Sequence, residues 1–338
     1  RAHTTLRLVE SASPRGLRST TDLRHLASSL SEAVGDLIAD RAASTSYLTR
    51  LLVFARQNLE AATRQLERWQ PKHVVLASQH GLQARAMLLY CRALEIPTIY
   101  VPHAPLATNR VYRDLPMDLA ALRGPLEVDV YSELGVDQQR MRVVGDLSVQ
   151  TALLETTCPD GPILVAPSPW SEAEVARFME IAAVAINDEY VVCPHPRSDI
   201  DMLRRVLPRR ATLARRRTLD IAADGCRALI QHSSGVAVEA MLVGAPVIEL
   251  APNGDEPSYF AIREPYVQVA TDVDSLRRAL VSVDVVSRAS VAAVAREWAG
   301  GWVAHVGTDA ADRLRQVLED GPAFKGALRE EWRTPQPR

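Results

Sequence analysis

The chain is short of every feature that would staple, anchor or advertise it. Its four cysteines, Cys91, Cys158, Cys193 and Cys226, stand far apart and form no C-x-x-C. That pattern signals neither a zinc site nor a disulfide framework, and it fits reduced, buried thiols in a cytosolic protein. No apolar run reaches the ~20 residues that a membrane span needs. The first residues are polar, with Arg1, His3, Arg7 and Glu10, and do not read as a signal peptide. The expected location is therefore cytoplasmic, with peripheral membrane contact and oligomeric state left open. A formal charge of −2 supplies no basic field for nucleic acid. The short runs Arg204-Arg205 and Arg215-Arg216-Arg217 read as solvated faces. A nucleophile elbow G-x-S-x-G, a phosphate loop G-x-x-x-x-G-K-[ST] and a dinucleotide G-x-G-x-x-G are all missing. Their absence argues against a serine hydrolase, a P-loop NTPase and an ordinary NAD enzyme. No repeat of solenoid period is present.

What the chain does have is length and apolar content. Its 338 residues, 47% of them hydrophobic, suffice for two domains with full cores. A strand at 4–9 is followed by a helical stripe, Leu23, Leu26, Leu30, Val34 and Leu37. A second stripe runs from Leu48 to Leu66. Beyond Pro71 strands and helices alternate: strand 73–77, helix 82–94, strand 98–101, and short strands at 128–131 and 142–144. Residues 151–162 read as a linker. A second alternating series opens with strand 163–166. Its first helix is capped by Ser171 and Glu174 in a capping box, with Val175, Phe178, Ala182 and Ile186 facing inward. Strand 190–193, a short helix at 218–223, and helices around Val291–Trp298 and Ala310–Leu318 complete it. Such alternation predicts parallel sheets covered by helices. The expected fold is α/β, with two Rossmann-like doubly wound domains facing each other across a cleft. Residues 1–150 form the first and 151–300 the second, and a C-terminal helix and tail at 301–338 is free to cross back to the first.

The richest stretch is Ala228 to Leu250, ALIQHSSGVAVEAMLVGAPVIEL. It reads as strand 228–230, a polar turn Gln231–Gly235, helix 236–243, and strand 247–250, the length of a βαβ crossover. Gly244 suits a left-handed helix C-cap, and Pro246 blocks continuation of the helix. Helix N-termini expose N–H groups and partial positive charge. Ser233 and Ser234 add hydroxyls and Gly235 permits close approach, a combination that suits a phosphate. Glu239, one helical turn on, is placed to accept from ribose hydroxyls. The same residues equally suit a plain helix cap and a solvated carboxylate.

In doubly wound sheets the ligand lies beyond the carboxyl ends of the strands, so the residues at the strand ends are the candidates for chemistry. They are His80, His103 with Asn109-Arg110, Gly145-Asp146, Ser168, His195 with Arg197, and His232 with Ser233-Ser234. Four of the eight histidines thus fall at strand ends, where proton transfer near neutral pH is best served by His. Histidines in such numbers also suit zinc, but no H-E-x-x-H or paired Cys/His spacing supports a metal.

HSSGVAVEAMLVGAPVIEL, with the CPHPR turn upstream and RVVGDLS before the linker, resembles the GT-B superfamily of nucleotide-sugar enzymes. The His195-Pro196 pair followed by Ser233-Ser234 looks most like bacterial capsule-type transferases, polysialyltransferase-like and CDP-glycerol transferase-like. YVPHAP is similar to their strand-then-His-Gly turn, with Ala104 where Gly is usual, and RVVGDLS carries Leu147 where they have Pro. The resemblance spans residues 73–255. It implies a metal-independent glycosyltransferase without a cofactor, acting on a pyrimidine-nucleotide-activated sugar or polyol phosphate and a hydroxyl acceptor. It implies that His195, as an imidazolium, and Ser233-Ser234 hold the donor phosphate, with Gly235 and His232 in the same turn and Ser168 alongside. Glu239 would hold the ribose, Arg110 or Arg197 would add phosphate bonds, and His103 would deprotonate the acceptor. Two alternatives remain. One is a non-hydrolysing UDP-GlcNAc 2-epimerase, although Ala166–Trp170 lacks that group's His-Arg segment and Val236 and Val238 replace its Gly and Gln. The other is a non-catalytic helper of the same fold, suggested by Ala104, Leu147 and the missing acid pair of sialyltransferase-like members.

Overall fold

The computed structural model describes residues 41–78, 81–109, 112, 115–155, 161–263, 265–285 and 288–321. The strand expected at 4–9, the stripe Leu23–Leu37, His80, Arg110 and Cys158 lie outside them. The chain divides into two compact units.

The first unit holds helix α1 (Arg41–Trp69), strand β1 (Val74–Leu76), helix α2 (Leu82–Ala93) and strand β2 (Thr98–Tyr100). β1 and β2 pair in parallel, Val75 opposite Ile99. Ala62, Leu66, Ala86, Cys91 and Ile99 are buried within it. Asp118, in the same unit, accepts from the Thr98 N–H at 2.7 Å and its hydroxyl at 2.8 Å, which holds β2 at its start.

The second unit comprises residues 101–115 and 119–320. It begins with β3 (Leu119–Leu122), helix α3 (Pro125–Glu133) and β4 (Met141–Val143), the two strands parallel. Val128–Tyr131, expected from the sequence as a strand, lies in a helix. Two β-branched residues suggested extension, but Gly124 as N-cap and Pro125 at the first helical position start a helix instead. The strand of this region is Leu119–Leu122, fully buried and without alternation, so periodicity could not distinguish it. A 3₁₀ turn at Thr151–Glu155 occupies the start of the expected linker.

Then come β5 (Ile163–Ala166), α4 (Glu172–Ala185), β6 (Tyr190–Val192), α5 (Ile200–Val206), β7 (Ala211–Leu213), α6 (Thr218–Asp224), β8 (Ala228–Gln231), α7 (Val236–Leu242), β9 (Val247–Leu250), β10 (Gln268–Ala270), α8 (Val273–Val285), α9 (Arg288–Trp302) and α10 (Gly307–Asp320). Six of these strands form one parallel sheet in the order β10-β9-β8-β5-β6-β7. That is the doubly wound order 3-2-1-4-5-6, whose switch point lies between its first and fourth strands, β5 and β8. Ile163 and Val165 pack with Val175, Phe178, Met179, Leu276 and Leu280, which puts α4 and α8 on one face. Leu164, between them, must point to the other face. The capping box of α4 is present: Ser171 Oγ accepts from the Glu174 N–H, and Glu174 Oε2 takes the Ser171 N–H at 3.0 Å. Gly244 follows α7 at φ +81°, as a left-handed C-cap requires.

Candidate functional site

All the strand-end candidates that the structure describes beyond β2 belong to the second unit, so their mutual geometry is defined. Ser168 follows β5 and His232–Gly235 follows β8, the two lips of the switch-point crevice. Ser168 Oγ donates to the His232 carbonyl at 2.6 Å and joins them. The Trp170 ring lies 4.5 Å from the His232 ring. A pocket of about 260 Å³ opens here, lined by Trp170, Glu174, Arg177, His232, Asn253 and Asp255 among others.

The turn itself is more engaged than the sequence suggested. The Ser233 N–H donates to Glu249 Oε1 at 2.8 Å, and the Ser234 N–H to Gln231 Oε1 at 2.8 Å. Ser233 Oγ accepts from the Ser258 N–H at 3.3 Å. Ser234 Oγ is at 3.5 Å from the Val236 N–H, a long capping contact. Ser233 Oγ also donates to Glu249 Oε1 at 3.5 Å, so phosphate contact would fall to the Ser234 hydroxyl and the Gly235 N–H rather than to Ser233 or the Ser234 amide. His232 Nδ1 lies 2.8 Å from Glu249 Oε1, close but off the hydrogen-bond line.

Gly235 also has a different reason to be glycine. Its φ is −59°, which any residue adopts. A Cβ there would stand 2.9 Å from Pro105 Cδ. Pro105 belongs to a strap, residues 105–109, that docks on the loop after β9. Thr108 N–H donates to Ser258 O at 2.8 Å, Phe260 N–H donates to Leu106 O at 3.1 Å, and Ala107 bridges Tyr259 in antiparallel sense. His103, exposed and two residues before Pro105, is thereby carried to the neighbourhood of the Ser233–Gly235 turn.

His195 and Arg197 sit on the turn after β6. His195 Nδ1 accepts the Arg197 N–H at 3.1 Å, leaving the proton on Nε2. Burial first and the Arg197 charge second hold the His195 pKa below its ordinary value. The expected imidazolium is thus replaced by a neutral ring that donates one N–H, and any fixed charge at this turn is that of Arg197. Burial pushes the Tyr259 hydroxyl up, Tyr112 adds to this, and Arg123 and Arg197 oppose it. Arg197 thus lies near enough to the strap's docking loop for its charge to be felt there.

Glu239 is half-buried. Burial raises its pKa, Asp146 adds to that, and Arg123 and Arg217 counter it. These partners reveal a group that the strand-end reading passed over. Arg123, at the end of β3, is only 3% exposed, is ion-paired with Asp146, and keeps a buried Nε without a hydrogen-bond partner. Burial works against the Asp146 charge, but Arg123 and Ser148 outweigh it and hold its pKa low. Glu127 takes the Arg123 N–H at 2.8 Å and the Leu106 N–H at 3.2 Å, so it ties the strap to α3. Its complete burial pushes its pKa up to about 7. Arg123 follows a strand that the sequence hid, and Glu127 lies in the helix misread as a strand.

No family model matches the chain, and no curated protein matches it in sequence. Solved structures do. Methanocaldococcus jannaschii UDP-GlcNAc 2-epimerase, in complex with UDP-GlcNAc and UDP, shares 15% identity over 78% of this chain and 80% of its own, with a TM-score of 0.56. The S. aureus MnaA–UDP complex shares 13% over 81% and 82%, with a TM-score of 0.57. CalG4, the calicheamicin glycosyltransferase, shares 17% over 88% and 84%, with a TM-score of 0.53. At such identities the likeness establishes architecture, and the architecture is the Rossmann-like α/β arrangement of the GT-B fold.

Proposed function

We propose that the chain is a nucleotide-sugar enzyme and, within that class, a metal-independent glycosyltransferase. Its donor is a pyrimidine-nucleotide-activated sugar or polyol phosphate, and its acceptor a hydroxyl. The observation that carries this reading is the meeting of the His103 strap and the Ser233–Gly235 turn at the β5/β8 switch point. A doubly wound sheet binds its ligand there. Similarity in fold to proteins solved with UDP, and to a glycosyltransferase, supports the nucleotide part. The capsule-type assignment rests on the His195-Pro196 and Ser233-Ser234 resemblance. Residues 151–300 take the donor and the N-terminal half takes the acceptor.

In this reading, with a sugar donor, the acceptor oxygen attacks the anomeric carbon while His103 removes its proton. The bond from that carbon to the phosphate oxygen breaks, and negative charge grows on the departing nucleotide. The Gly235 N–H, His195 Nε2–H, the Ser234 hydroxyl and Arg197 face that charge, and preorganised donors stabilise it without reorganisation. Glu239 accepts from the ribose hydroxyls.

The 2-epimerase reading is favoured by two of the structural likenesses. Against it, Ser168 is spent on the His232 carbonyl where that group has a His-Arg segment, and Val238 is buried in α7. Incubating the protein with UDP-, CDP- and CMP-sugars, with and without a hydroxyl acceptor, separates the readings. Transfer requires nucleotide release that depends on acceptor. In His103→Ala it should fall by roughly 10²–10⁴-fold with nucleotide affinity kept. A C2 epimer formed from UDP-GlcNAc without acceptor would replace transfer by epimerisation, and indifference to every nucleotide would favour the helper.

A further inference from the structure

Glu249 is fully buried in the middle of the sheet, 0% exposed, where an apolar side chain would be cheaper. Its two oxygens divide the turn after β8 between them. Oε1 takes the Ser233 N–H at 2.8 Å, with Ser233 Oγ at 3.5 Å and His232 Nδ1 at 2.8 Å. Oε2 takes the Gln231 side-chain amide, Gln231 being its cross-strand neighbour. The direction of that amide is determined, because the Ser234 N–H occupies Gln231 Oε1. Gln231 and Ser233 are thus set by Glu249 directly, and Ser234 through Gln231. Ser233 meanwhile holds φ +46°, a left-handed conformation that side-chain-bearing residues rarely adopt and keep only where surroundings over-determine it.

We propose that Glu249 is the positioning residue of the nucleotide-binding turn. It holds Ser233 in its left-handed conformation, with the Ser233 hydroxyl turned to Glu249 and Ser258, and so aims the Ser234 hydroxyl and the Gly235 N–H at the ligand. This rests on the nucleotide-sugar reading above. Glu249 touches no ligand in this role. A carboxylate is required because it accepts on both sides, whereas an amide has one acceptor oxygen and must turn its NH₂ toward either Ser233 N–H or Gln231 Nε2.

The test is the affinity for UDP, CDP and CMP, by calorimetric titration, of the wild type, Glu249→Gln, and Glu249→Gln combined with Ser233→Gly. Melting curves establish that each is folded. Glu249→Gln should weaken binding at least tenfold. Adding Ser233→Gly, which makes positive φ freely accessible, should recover at least threefold, a rescue that a loss of general stability would not show. Wild-type affinity in Glu249→Gln, or a double variant no tighter than the single, overturns the positioning role. If Glu249→Gln does not fold, Glu249→Asp takes its place under the same criteria. A wild type that binds none of the three nucleotides instead removes the nucleotide reading itself.

Discussion

Glu127 shows how one side chain can couple protonation to folding. It is fully buried, accepts two backbone N–H groups, and titrates near 7 in the folded protein against 4.5 for an ordinary glutamate. A carboxyl whose folded pKa is raised binds more protons in the folded state. The stability it contributes is present below about pH 4.5 and is lost as pH rises through about 7. The wild type should therefore lose roughly 2–3 kcal/mol more than Glu127→Gln between pH 5 and pH 8. Denaturant melts of both proteins at the two pH values measure that difference, and parallel pH profiles would refute it. The same residue scale governs the histidines. His195 was legible as a strand-end candidate from spacing, but its neutral ring followed only once Arg197 and its degree of burial were known.

Between elements, the strap and the turn form the contact on which the site depends. Gly235, the N-cap of α7, stands at φ −59°, a conformation that alanine also adopts, so the backbone itself does not require glycine there. Pro105 occupies the space that a Cβ would need, and a ring carbon cannot swing aside as a flexible side chain can. Gly235→Ala should therefore destabilise by about 1–3 kcal/mol and speed hydrogen exchange at the Thr108 and Phe260 amides, which tie the strap down. Unchanged or slower exchange would mean that the strap does not rest on the turn. Elements with strong local signals were read correctly from sequence: α4 from Ser171 and Glu174, the end of α7 from Gly244, β8 and β9 from their apolar runs. Leu119–Leu122 was missed because a strand buried on both faces has no period, and 128–131 was misread because two β-branched residues outweighed the Gly124-Pro125 start signal.

For the whole molecule, the sheet order places the candidate site where two parallel connections diverge, and ligand binding there should be felt by the fold. A nucleotide that binds only the folded state raises stability by mass action, about 2.7 kcal/mol at a hundred times its Kd. A thermal shift with UDP, CDP or CMP that saturates with concentration is the expected outcome. A flat response to all three would speak against a nucleotide site at the β5/β8 crevice. No helix among the described residues is long and apolar enough to cross a membrane.

The sequence by itself determined the alternation of strands and helices, the capped ends of α4 and α7, and the gathering of histidines and serines at strand ends, because each follows from local periodicity and turn chemistry. Only the tertiary structure decided that Glu249 underlies the turn, that Pro105 lies over Gly235, and that Arg123, Asp146 and Glu239 share one electrostatic neighbourhood. Those pairings join residues 16 to 130 positions apart. The order in which parallel strands assemble creates them, and no spacing along the chain encodes that order.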